Sequence, residues 1–221
     1  MSNPIAAALV EAWESGNPVT PTPIPDLAAA EDIAAAVLES LGALPCGLRM
    51  TETGLVGPML ESRFMTTGMA LSAAMLRHAQ VAPALVGVLA QDLVDGPPVF
   101  ARLHPALDVS STRWRDGAAS PAEATADLAC LGHVVLGKGK LAPVPAACAL
   151  LAGEARARAK PAEAEALLLR AAQAAREMGG LPAGAVLVAV LDGRAAPALA
   201  GEWAASWPGL GRAAARITAP D

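Results

Sequence analysis

The stretch Val81-Ala82-Pro83-Ala84-Leu85-Val86-Gly87-Val88-Leu89-Ala90-Gln91-Asp92-Leu93 decides how the chain is read. Its apolar, β-branched core has the composition of a buried strand. Pro83 brings no N–H to a ladder, which places that strand at an edge or a bulge near its start. Upstream lies Gly57-Pro58-Met59-Leu60-Glu61-Ser62-Arg63, and downstream lies Ala106-Leu107-Asp108-Val109-Ser110-Ser111-Thr112-Arg113-Trp114. Val99 to Trp114 reads as the next pair of strands. His104 begins that element and is expected at its solvent end.

Composition narrows the classes of function. A chain of 221 residues fits one domain of generous size, or one domain with a helical appendage. Hydrophobic residues make up 54% of it, ample for a core, and much of that is alanine, which favours helix. Tyr is absent and Phe occurs twice, so stacking platforms for single-stranded nucleic acid are not expected. A net charge of -5 argues against nucleic acid as well, because phosphate binding needs a concentrated basic face. The opening Met-Ser-Asn-Pro lacks the basic start and apolar run of a signal peptide. No apolar run approaches about 20 residues, so no membrane partner and a cytoplasmic location are expected. Cys46, Cys130 and Cys148 are widely spaced without metal-site spacing and read as reduced, buried thiols.

Ile5 to Ser15 reads as a short helix, with Ile5, Leu9, Val10 and Trp13 near one face and Gly16 as its stop. Asn17 to Pro25 holds four prolines and is expected to run extended over the surface. Asp26 caps an alanine-rich helix that ends near Leu41-Gly42. Met59, Met65, Met69 and Met75 read as core filler, and His78 as an exposed loop residue. Ser120-Pro121-Ala122-Glu123 is a strong helix start, with a serine cap, a proline at the first position and an acid at the third. His133 precedes Val134 to Gly137, a strand entering a turn. Lys138 and Lys140 flank Gly139 in what reads as a tight solvated turn, without the strand–loop–helix context of a phosphate loop. Leu141 to Gly153 is apolar and strand-like. Pro161 to Met178 is the clearest helix, with Pro161 in its first turn and Gly179-Gly180 as its stop.

Taken in order, these segments resemble the 2-keto-4-pentenoate hydratase and 4-oxalocrotonate decarboxylase branch of the fumarylacetoacetate hydrolase superfamily. The likeness is carried by Asp32, by Cys46 to Thr51 with Arg49 at a lysine position, and by Gly57-Pro58 through Met65. It continues through the central stretch, Ala106 to Trp114, Ala126-Asp127, Leu181 to Val188, Gly201-Glu202 and Trp207 to Gly211. The resemblance implies an α+β fold, a mixed curved β-roll with a helical part over residues 1–45 and flanking helices. Residues 46–221 would form the β-roll as one structural unit. Members of that branch hold a divalent metal through a Glu-x-Glu pair in the central strand and a third acid. Here the pair is Ala82 and Ala84, and Asp108 stands at the third position. A further acid has become Ala185, and a Thr-Gly-Ser element has become Ala189-Val190-Leu191. Magnesium or manganese needs hard oxygen ligands, and alanine supplies none.

Two readings of function follow. In the first, the chain is a divergent hydratase-like protein that acts on or binds a small 2-keto or enol acid, a lyase if active. It would hold no metal tightly, although magnesium or manganese could bind weakly together with substrate. Arg49 and Arg113 would take the carboxylate, and Asp108 or Asp127 would serve as acid–base. In the second, the chain is an inactive relative, a structural or regulatory subunit of a homo-oligomer or of a complex with a related enzyme. The number of charged groups converging in one pocket separates the two. Asp108 and Arg113 stand five residues apart and face opposite sides of a straight strand, so a shared site needs a bend. Glu52, close to Arg49 in sequence, offers that arginine a simple ion-pair partner.

Overall fold

The computed structural model describes residues 3–153 and 158–219. Two helices come first. Helix α1 (Pro4–Ser15) starts on Asn3, whose side chain accepts the N–H groups of Ile5 and Ala6, and stops at Gly16 in the left-handed region. Helix α2 (Leu27–Ser40) is capped by Asp26, which accepts the Ala29 N–H at 2.8 Å. Both helices form where sequence places them, because their caps and apolar stripes are local signals.

The strands β1 (Pro45–Thr51), β2 (Val56–Leu60), β3 (Phe64–Thr66), β4 (Ala70–Ser72), β5 (Gln80–Leu89) and β6 (Phe100–Ser110) follow. Helix α3 (Pro121–Ala126) precedes β7 (His133–Leu136), β8 (Ala147–Ala152) and β9 (Lys160–Pro161). After helix α4 (Ala164–Glu177) come β10 (Val186–Val190), β11 (Ala196–Pro197), β12 (Gly201–Trp207) and β13 (Gly211–Thr218). One sheet runs in the order β2-β1-β10-β5-β6-β7-β3, with β11 also beside β5; the other runs β4-β13-β12-β8-β9. β1 and β10 pair in parallel, as do β3 and β7, while β5 is antiparallel to both neighbours. Register shifts at Pro45/Gly47 and at Val88/Leu89 bend the long sheet. The result is the mixed, curled α+β architecture that the resemblance implied.

β5 is a central strand rather than an edge, and it is buried on both faces. Val81, Leu85 and Leu89 face a core shared with Leu167 and Leu168 of α4 and with Trp203 and Ile217 of the second sheet. Ala82, Ala84 and Val86 face a second core with Leu9, Ile33 and Val37 of the first two helices. This double burial is why the strand reads as a nearly continuous apolar run. Pro83 is tolerated because its carbonyl, which accepts the Leu191 N–H, points to where β10 ends and β11 has not begun. Its nitrogen faces the same break, so no ladder bond is forfeited. Gly87 is required by close approach: a Cβ there would lie 2.3 Å from the Phe100 ring.

Several local expectations are corrected. Val99 to Trp114 holds one long strand, not two, because Ser111 and Thr112 bond to Cys130, Arg77 and Asp127 instead of continuing the ladder. His104 sits in the middle of that strand, half-buried opposite Val86, with Nδ1 bonded to the Gly137 carbonyl. Pro161 lies outside α4: Lys160 and Pro161 pair with Cys148 and Ala147, and the helix begins at Ala164. Of the four methionines only Met59 is fully buried, while Met69 and Met75 are exposed. The Lys138–Lys140 turn, by contrast, keeps both lysines exposed as expected, and a bridge from Lys140 to Leu103 ties it to β6.

Candidate functional site

Arg49 and Asp108 meet on the face of the long sheet that carries Ala82 and Val188, opposite the core shared with the second sheet. On β1, Leu48 and Met50 point into the core below α4, and the alternation turns Arg49 to the opposite face beside Val188. On β6 the same alternation sends Leu107 and Val109 one way and Asp108 the other, directly opposite Ala82. Both charged side chains are buried, at 2% exposure each. Arg49 Nε donates to Asp108 Oδ1 at 2.7 Å and Nη2 donates to Oδ2 at 2.6 Å, a two-pronged ion pair. β10 and β5 lie between the partners, and alanine at 82 leaves room on that face for the fork to close. Burial opposes the Arg49 charge, but Asp108 outweighs it and holds the guanidinium above its ordinary range. Glu52 is not its partner; that carboxylate accepts the Gly193 N–H.

Arg49 also supports an unusual turn. Its Nη1 donates to the Ala129 carbonyl at 3.0 Å. Leu128, Ala129 and Cys130 adopt φ values of 50°, 57° and 52°, a run in the left-handed region by residues other than glycine. Each such residue costs roughly 1–2 kcal/mol, so the turn persists only because its surroundings hold it. Arg113 holds the other side: Nη1 donates to the Leu131 carbonyl at 2.8 Å, and Nη2 reaches the Asp127 carbonyl at 3.4 Å. Gly57 gives the turn its space, because a Cβ at that position would lie 2.5 Å from the Ala129 Cβ.

Asp127 and Arg113 form the second buried pair, 2.5 Å apart. Asp127 also accepts the Thr112 hydroxyl and the Arg113 N–H, both at 2.8 Å. Burial pushes the Asp127 carboxyl above the usual carboxylate range, with Arg113 and Thr112 pulling the other way. The chain thus brings Arg49 together with Asp108 and Arg113 together with Asp127, with the left-handed turn between the pairs. The bend after Ser110 carries Arg113 away from Asp108.

A cavity of about 270 Å³ opens beside the first pair. Its lining includes Arg49, Asp108, Thr51, Ala82, Cys130 and Asp192; Arg113 and Asp127 are not part of it. Thr51, Cys130 and Asp192 have no local sequence signal that marks them as site residues, and the left-handed turn has none beyond Gly57. Asp192 is tied to the rim by Thr53, which donates its hydroxyl to Oδ2 at 2.6 Å.

The donor set does not fit a tightly held divalent ion. Such an ion needs several carboxylate or carbonyl oxygens at once. Ala82 and Ala84 share the face of Asp108 and offer only methyl groups, and both oxygens of Asp108 already accept from Arg49. Among the described residues no group of three or more His, Cys, Asp or Glu side chains is placed to hold a metal. No described helix is long and apolar enough to cross a membrane.

No family model and no curated protein matches the sequence. Solved structures do match. The chain is similar to 4-oxalocrotonate decarboxylase from Pseudomonas putida G7 complexed with calcium and acetate, at a TM-score of 0.80 and 18% identity over 96% of this chain and 95% of that one. It is also similar to 2-hydroxyhepta-2,4-diene-1,7-dioate isomerase from Mycobacterium marinum, with a TM-score of 0.62 and 14% identity over 80% of this chain and 76% of that one. Maleylpyruvate hydrolase from Sphingobium sp. SYK-6, in complex with manganese and pyruvate, gives 0.56 and 12% identity over 96% and 92%. The chain therefore shares the fold that the sequence resemblance to the fumarylacetoacetate hydrolase superfamily implied.

Proposed function

We propose that this chain binds a small 2-keto or enol acid in the Arg49 cavity without a tightly held divalent ion. The single observation behind this reading is the fork of Arg49 on both oxygens of Asp108. It sets a fixed guanidinium, rather than an open carboxylate cluster, at the wall of the cavity. A keto acid has a carboxylate and a vicinal carbonyl oxygen, both acceptors. The N–H groups of Arg49 not engaged by Asp108 or Ala129 are donors of matching chemistry. The cavity is of a size for such a molecule rather than for a larger cofactor. Magnesium or manganese would enter only as a weak companion of the acid, completing its shell with the acid's own oxygens.

A second reading rests on a different observation. Arg113 and Asp127, candidates for carboxylate binding and proton transfer, are paired with each other outside the cavity lining. That leaves one neutralised arginine in the site and supports an inactive relative, kept as a structural or regulatory subunit of a homo-oligomer or of a complex with a related enzyme. Under both readings the Arg113–Asp127 pair is a positioning pair that shapes the turn beneath the cavity.

Calorimetric titration with 2-oxopentanoate, with and without magnesium or manganese, tests the proposal. Saturable binding of the acid alone, lost on Thr51→Trp filling of the cavity, is the expected result. Binding of metal alone would overturn the metal-free reading. No binding of acid in either condition would leave the inactive-subunit reading in its place.

A further inference from the structure

Three buried side-chain nitrogens without a hydrogen-bond partner, Trp13 Nε1, Arg63 Nε and His133 Nδ1, belong to one cluster. The guanidinium carbon of Arg63 lies 4.3 Å from the Trp13 ring centre, and that of Arg113 lies 3.9 Å from it. Arg63 follows β2, Arg113 follows β6, His133 opens β7 and Trp13 rides on α1, so four separate elements deliver these groups. None of the four residues lines the Arg49 cavity.

The charges in this cluster do not balance. Arg113 is paired with Asp127. Arg63 enters none of the ion pairs among the described residues. Burial, followed by repulsion from Arg113, brings the Arg63 guanidinium down to about 10. Burial, then the two arginines, lower His133 as well, and an imidazole supplies no negative charge to offset them. A half-buried cation beside a second cation, with no acid of its own, is an arrangement that a negatively charged ligand relieves. Arg63 is partly exposed, so such a ligand has access from solvent.

We propose that Arg63, backed by Arg113, His133 and Trp13, forms a binding site for a small oxyanion, a phosphate or carboxylate group, separate from the Arg49 cavity. The guanidinium fork offers two parallel N–H groups to two oxygens of one anion. Stacking on Trp13 fixes the plane of that fork before the anion arrives, which lowers the ordering cost of binding.

The test is calorimetric titration of the full chain with inorganic phosphate and, separately, with malonate. Wild-type protein is compared with Arg63→Met and Arg63→Lys, each checked for folding by circular dichroism. Saturable binding of at least one probe is expected, weakened about tenfold or more in Arg63→Met and less in Arg63→Lys, which keeps the charge but not the fork. Tighter binding of phosphate assigns the site to a phosphate group, and tighter binding of malonate to a carboxylate. If both Arg63 variants bind as wild type does, the anion sits elsewhere and the proposal is overturned. It is equally overturned if neither probe gives saturable heat with wild-type protein. Should Arg63→Met fail to fold, Arg63→Lys alone decides, since unchanged binding of both probes would show that the fork is not used.

Discussion

Arg49 on β1 grips both carboxylate oxygens of Asp108 on β6 across two intervening strands, at 2.7 and 2.6 Å, with each partner almost fully buried. Removing one member leaves the other as an uncompensated charge in the core. Arg49→Met is expected to lower unfolding free energy by about 3–5 kcal/mol. Replacing both, as in Arg49→Met with Asp108→Leu, is expected to recover most of that loss, because two apolar groups carry no desolvation penalty. Urea denaturation of the two singles and the double measures the coupling. A double variant no more stable than the weaker single would show that the pair is not what couples the strands.

The same pair bears on metal binding. Ala82, Ala84 and Asp108 share one face, with Ala82 and Asp108 in direct register. Glutamates at 82 and 84, in a background where Arg49→Met frees Asp108, would put three carboxylates around one point. That triple variant is expected to take up manganese and remove the free-ion signal in electron paramagnetic resonance, while wild-type protein leaves the signal in place. Tight manganese binding by wild type alone would refute the donor-set argument.

How much of this was legible in the sequence depended on whether a feature is local. The caps at Asp26 and Ser120 act through their own neighbours, and the helices begin where those residues stand. β5 was legible as a buried strand from its apolar run, but not as a central one, because the break between β10 and β11 that admits Pro83 is made by residues more than a hundred positions away. Asp108 and Arg49 were both visible as candidates on the strength of the resemblance. Their pairing was not, since it depends on sheet order and curl. The bend that separates Arg113 from Asp108 comes from bonds to Asp127 and Cys130, again non-local. The left-handed turn at Leu128–Cys130 had no signal of its own, because residues other than glycine rarely adopt that conformation and nothing in their type announces it.

Gly57 is the residue through which that turn is tested. A Cβ at 57 would sit 2.5 Å from the Ala129 Cβ and 3.1 Å from the Leu128 carbonyl oxygen. Gly57→Ala is expected to destabilise the protein by about 1–3 kcal/mol through overpacking. Ala129→Gly removes the opposing methyl and eases the left-handed backbone at φ 57°, so the double variant is expected to be more stable than Gly57→Ala alone. Thermal denaturation of the set gives the answer. If Ala129→Gly brings no relief, the clash lies with the Leu128 carbonyl and the turn as a whole is being displaced.

Cys130, at the end of the same turn, carries a pH dependence with a defined sign. Burial, then the Asp127 carboxylate, push its thiol up to about 11, against Arg113, Arg49 and the Thr112 hydroxyl. An unfolded thiol titrates near about 8.5. The folded state therefore keeps a proton that the unfolded state gives up. The stability tied to this group is fully present below the unfolded value and is lost as pH rises from about 9 towards 11. Burial also raises Cys46 and Cys148, so they act with the same sign. Arg63, lowered to about 10, acts oppositely above that pH, since the folded state then holds fewer protons than the unfolded one. Comparing wild type with Cys130→Ala isolates the single group. Wild-type stability is expected to fall more steeply than that of Cys130→Ala between pH 9 and 11, and iodoacetamide labelling of Cys130 in the folded protein is expected to keep accelerating through pH 10. A labelling rate that levels off by about pH 9 would mean an ordinary thiol, and would place Cys130 in water rather than against the buried Asp127–Arg113 pair.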